Sequence, residues 1–89
     1  MNQKRETTEA ERTLSKLKAV EADGEDLLCS TMTAIQLAET RIALNLKQQA
    51  VASEVGISQS YLHDLESGHR HLRIRMFNRI KDAMRKLSA

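Results

Sequence analysis

Apolar residues recur along this chain at spacings of three and four, and nowhere in the two-residue alternation of a half-buried strand. No proline interrupts the pattern. The chain therefore reads as all-α, with five helices. The first, over 5–22, is the weakest. Ala10, Leu14, Leu17 and Glu21 share a narrow face, and Gly24, within acidic residues at 21–26, marks a stop and a linker. So little apolar surface is compatible with a docked helix, a dimer helix or partial disorder. A second helix over 33–45 opens on Thr33 and Gln36 at capping-box spacing. Ile35, Ala38 and Ile42 form its stripe, Leu37 and Leu44 widen it, and Asn45 suits a left-handed exit.

Two short helices follow, over 48–55 and 59–66, with Gly56 at the turn between them. Ser58 is placed to cap the later one and Gly68 to end it. The last helix spans 73–87, with Ile74, Phe77, Ile80, Met84 and Leu87 at core spacing and basic residues on the other side.

Residues 46–68, LKQQAVASEVGISQSYLHDLESG, carry the sharpest pattern. Counting Gln48 as the first position, apolar residues fall at the fourth, eighth, tenth, fifteenth and eighteenth: Val51, Val55, Ile57, Leu62 and Leu65. Ala52 is fifth and Gly56 ninth, which lets two helices meet at a sharp angle. This is the layout of a DNA-binding helix-turn-helix, whose second helix enters the major groove. The stretch resembles the Cro and phage-repressor type of helix-turn-helix, the XRE family. TRIALNLKQQ before the motif and LESG after it extend the likeness to about 33–87.

The resemblance implies a compact five-helix, lambda-repressor-like domain over 33–89, with 1–32 as an N-terminal extension, helical or flexible. It implies an operator of double-stranded DNA bound by a homodimer. Gln48 matches a glutamine that contacts phosphate and braces the first reading side chain; Gln59 matches one that reads adenine through N6 and N7. Ser60, Tyr61, His63 and Asp64 follow as base-reading candidates. Ser67, Arg70, Arg73 and Arg75 fall where similar repressors hold the phosphate backbone. Arg41 and Glu66 match a partly buried ion pair, since a carboxylate on an apolar helix end requires a nearby cation. Three departures stand out: Lys47 where a Ser or Thr cap is usual, His71-Leu72 in place of Asn-Pro, and the extension itself.

Charge sharpens this picture. The chain has a net charge of +2, but residues 1–32 carry −2 and residues 33–89 carry +4. Within 69–89, seven basic residues face Asp82 alone, a candidate polyanion surface. Two aromatics, Tyr61 and Phe77, are too few for base-stacking recognition of single strands. The lone Cys29 has no partner for an internal disulfide and fits a reducing cytoplasm. The spacing of Cys29, His63, His69 and His71 matches no zinc pattern, and the reading includes no metal, cofactor or catalytic group. No apolar run is long enough for a membrane span, and no signal peptide is evident. The leading expectation is a transcriptional repressor of phage, prophage or bacterial origin. Two alternatives stay open: an antitoxin that binds a toxin through 1–32 and represses its own operon, and an assembly protein that keeps the fold without binding DNA.

Overall fold

The computed structural model describes residues 9–17 and 26–89. They form α1 (Glu9–Ser15), α2 (Thr31–Ala43), α3 (Gln48–Val55), α4 (Gln59–Ser67) and α5 (Ile74–Ser88). The extended pairing among the described residues is an isolated antiparallel bridge between Leu28 and Arg73. The all-α, five-helix reading holds, and its details change in three places.

The first is α1, which ends at Ser15 rather than reaching 22. Thr13 and Ser15 donate their hydroxyls back to the carbonyls of Glu9 and Arg12, the local competition that makes these residues poor helix continuers. Leu17 then turns its N–H to the Leu14 carbonyl at 3.0 Å, and its own carbonyl accepts from Lys81 Nζ at 3.2 Å. Both leucines are buried in the same core as the motif helices. Each such burial contributes about 1.5–3 kcal/mol. Glu21, the Gly24 stop and the rest of the expected 5–22 helix lie outside the described residues.

The second change is the start of α2. Its N-cap is Ser30, whose Oγ accepts from the Thr33 N–H at 3.1 Å. Thr33 is thus the third residue of the helix, its hydroxyl 3.0 Å from that of Ser30, and is not the cap. A division at residue 32 runs through the first turn of α2.

The third is which face of α2 turns inward. Ala34, Leu37 and Thr40 are buried, while Ile35 and Ile42 are 41% and 62% exposed. Two small residues, Ala34 and Thr40, let α2 approach closely. Thr40 tolerates burial because its hydroxyl donates to the Gln36 carbonyl at 2.8 Å.

The remaining turns follow the local chemistry. Asn45 takes φ 60, Gly56 φ 93 and Gly68 φ 88, all left-handed. Lys47 gives α3 no side-chain cap; Ser58 caps α4 by accepting from the Tyr61 N–H. Along α5, Ile74, Phe77, Ile80 and Met84 are buried with Ala83, whereas Leu87 is exposed at the helix end.

Candidate nucleic-acid interface

Gly56 sets the angle between α3 and α4, and α4 turns one polar face outward. Gln59 and Ser60 lie one helical turn from His63 and Asp64, so all four share that face. With Gln48 from the start of α3 they line one shallow open groove. Tyr61 is set apart. It is half-buried, packs on the core, and carries the Arg70 guanidinium 5.6 Å above its ring centroid. Its neighbours are Asp26, His71, Arg73 and Arg75, in an adjoining concavity.

Behind the groove runs a connected polar chain. Arg41 holds Glu66 in two contacts, Nε to Oε2 at 2.8 Å and a terminal N–H to Oε1 at 3.1 Å. The third donor of Arg41 reaches the Leu46 carbonyl at 2.8 Å. The two side chains are 12% and 5% exposed, so this ion pair is nearly out of water. Glu66 Oε1 also accepts from Gln48 Nε2 at 2.9 Å. A carboxylate only accepts, so it fixes which end of the Gln48 amide faces it. The Gln48 oxygen is left toward Gln59, whose Nε2 lies 3.5 Å away. Glu66 therefore orients the Gln59 amide through Gln48, a link that pairwise reading of the sequence does not supply.

Beyond α4 the chain loops through 68–73. Ser67 Oγ is 2.6 Å from His69 Nδ1. Arg70 donates its backbone N–H to the Asp64 carbonyl at 3.1 Å, and its Nε lies 3.7 Å from the Asp64 carboxylate. This pair is exposed and worth well under 1 kcal/mol, but it places a cation beside a carboxylate on the outward polar face of α4.

The seven basic residues of 69–89 do not form one patch. Arg79 donates to the Val55 carbonyl at 2.8 Å, closing the C-terminus of α3, where the helix dipole favours a cation. Lys81 holds Leu17. Arg85 pairs with Glu11 and Asp82, and Lys86 with Glu54. Arg70, Arg73 and Arg75 lie beside α4, and Arg73 and Arg75 are anchored by a residue with no sequence signal. Asp26 Oδ1 accepts the Arg75 N–H at 2.9 Å, and the Asp26 carbonyl accepts from the Arg73 guanidinium at 3.0 Å.

Burial, and secondarily the charge of Asp26, push the Cys29 thiol above its ordinary value. Among the described residues no cluster of His, Cys, Asp and Glu could hold a metal ion, and no helix is long and apolar enough to cross a membrane.

A two-helix motif with an outward polar face, backed by a buried carboxylate, defines a helix-turn-helix DNA-binding domain. A family model described as helix-turn-helix matches residues 37–86, more than half of the chain. The chain belongs to this family, the Cro and repressor type of DNA-binding transcriptional regulators, which are generally non-enzymatic. No curated protein and no solved structure matched it.

Proposed function

We propose that this DNA-binding regulator is a repressor that occupies a palindromic operator as a dimer in the cytoplasm. The observation that carries sequence-specific reading is the Arg41–Glu66–Gln48–Gln59 chain. It holds one amide hydrogen of Gln59 toward Gln48. The second amide hydrogen then suits adenine N7 and the amide oxygen suits N6–H, the bidentate pairing a glutamine makes in the major groove. Ser60, His63 and Asp64 extend the reading face, with Asp64 an acceptor for cytosine N4–H. The first-turn N–H groups of α3, uncapped by Lys47, together with Gln48, take one phosphate. Ser67, Arg70, Arg73 and Arg75 take others, and Tyr61, set apart from the groove, supports that phosphate side. Repression needs only occupancy of a promoter. In a dimer the two reading helices lie ~34 Å apart, one turn of duplex.

Selection of bound duplexes from a random pool, at two salt concentrations, tests this. A palindromic motif is the expected product, and Gln59→Ala combined with Ser60→Ala abolishes its enrichment. Retention that depends on salt alone, with no motif, overturns sequence-specific reading. A footprint over a single half-site overturns the dimer.

A second reading, an antitoxin that also represses its own operon, is favoured by one feature. Met32, Ile35 and Ile42 form an exposed apolar stripe on α2, a surface that suits a protein partner, whereas Leu14 and Leu17 of the 1–32 segment are buried. If this reading holds, a neighbouring gene expressed alone arrests growth, and co-expression with this chain restores it. Growth arrest that persists on co-expression removes the antitoxin reading.

A further inference from the structure

The loop that carries Arg70 and Arg73, and the first turn of α5, are held by a short strap from outside the family-matched region. Four hydrogen bonds join residues 26–29 to 72–75. Cys29 donates its N–H to the Leu72 carbonyl at 2.7 Å, and Ile74 donates to the Leu27 carbonyl at 2.8 Å. The Asp26 carboxylate accepts the Arg75 N–H at 2.9 Å, and the Asp26 carbonyl accepts from Arg73 at 3.0 Å. Arg73 is the N-cap residue of α5 and offers no side-chain cap of its own. Asp26 thus supplies the cap from a position 49 residues away in sequence.

We infer that Asp26 is a positioning residue for DNA binding, one that caps α5 and fixes the backbone from which Arg73 and Arg75 reach phosphate. The contact to the Asp26 carbonyl uses one of the five donors of Arg73, which sets the direction of the guanidinium and leaves donors for a phosphate. Asp26 also brings a negative charge to a surface that meets a polyanion. A carboxylate with no positioning role weakens binding there by repulsion. Two effects of opposite sign therefore act at one residue, and two substitutions separate them. Asp26→Asn removes the charge and keeps an oxygen that accepts from the Arg75 N–H. Asp26→Ala removes both.

The inference rests on the proposed phosphate role of Arg73 and Arg75, so the experiment carries its own control. The full-length chain and its variants are titrated against duplex DNA at several salt concentrations. Arg73→Ala lowers the slope of log affinity against log salt by about 1, as loss of one phosphate contact does. An unchanged slope overturns the phosphate reading, and the inference with it. Given the lowered slope, Asp26→Asn binds at least as tightly as the unsubstituted chain. Asp26→Ala binds roughly five-fold more weakly than Asp26→Asn, although the two carry the same charge; this corresponds to about 1 kcal/mol at 1.4 kcal/mol per factor of ten. Equal affinity of the two variants leaves Asp26 a merely electrostatic residue and overturns the inference alone.

Hydrogen exchange reports whether the fold persists. In Asp26→Ala the Arg75 amide exchanges faster, while the amide of Leu62 in the core keeps its protection. Should Asp26→Ala lose core protection, Asp26→Leu takes its place, since leucine matches asparagine in size and charge but cannot accept from the Arg75 N–H, and equal affinity of Asp26→Leu and Asp26→Asn overturns the inference.

Discussion

Replacing Arg41 with methionine tests the buried ion pair behind the polar face of α4. The change removes two charge-assisted contacts to Glu66, at 2.8 and 3.1 Å, and one to the Leu46 carbonyl at 2.8 Å. Methionine fills much of the same volume, so the cost is electrostatic rather than a cavity. Glu66, whose side chain is 5% exposed, keeps Gln48 as its one remaining partner among these contacts and loses its counter-charge. Removing one member of a buried pair costs about 3–5 kcal/mol. Arg41 retains 12% exposure, which lets some water reach the site and favours the lower end, about 3 kcal/mol. In a domain of this size 1 kcal/mol shifts Tm by roughly 4–8 °C, so Arg41→Met lowers Tm by roughly 12–24 °C. Urea unfolding followed by circular dichroism, with the melting curve alongside, measures both. Arg41→Met combined with Glu66→Met recovers most of the loss, because no orphaned charge remains. Below the transition the single variant still binds DNA, since Glu66 continues to orient Gln48. A fall in Tm under about 4 °C refutes the electrostatic account of this pair.

Other perturbations reach other parts of the molecule. Leu14→Ala costs about 2–5 kcal/mol by cavity formation, because Leu14 is fully buried in the shared core; a stability unchanged in urea unfolding would show that α1 is not part of it. Gly56→Ala places a Cβ at φ 93 with no atom within 4 Å, so the cost is backbone strain alone, roughly 1–2 kcal/mol, read as a lowered Tm with the selected DNA motif unchanged. A fall beyond about 4 kcal/mol would mean that the turn is packed more tightly than the geometry shows. Cys29 has its thiol raised by burial and by Asp26, so the folded state disfavours the thiolate. Its alkylation rate rises at higher pH than that of a free cysteine, and its contribution to stability is present below the unfolded thiol range and lost as pH climbs past it. Alkylation tracking that of a free cysteine at every pH would remove the shift.

The motif was the most legible part of the chain because its geometry is local. Val51, Ala52, Val55, Gly56 and Ile57 lie within seven consecutive residues, and the left-handed turn needs only the glycine that stands there. Asn45 and Ser58 were readable for the same reason. Helix α2 was harder, since two neighbouring stripes at spacings of three and four both satisfy a 3.6-residue period. Ala34, Leu37 and Thr40 turn inward and Ile35 and Ile42 outward, although the second stripe is the more apolar. Packing against the other helices made that choice, and the buried Thr40 hydroxyl is satisfied inside its own helix. At the start of α2, Thr33 and Gln36 imitated a capping box while Ser30 supplied the cap.

Residue order alone determined five helices, the sharp turn at Gly56 and the polar face that α4 turns outward. Each depends on spacings of four residues or fewer along one helix or turn. The tertiary structure decided what that face is braced by and what its charges do. Glu66 orients Gln48 from 18 residues away, Asp26 caps α5 from 49, and Arg79 reaches 24 residues back to close α3. A run of basic residues thereby divides into cations that tie α5 to residues 11–17 and to α3, namely Arg79, Lys81, Arg85 and Lys86, and cations beside α4, namely Arg70, Arg73 and Arg75. Periodicity cannot make that division, because a charge finds its partner through space, and only packing sets those distances.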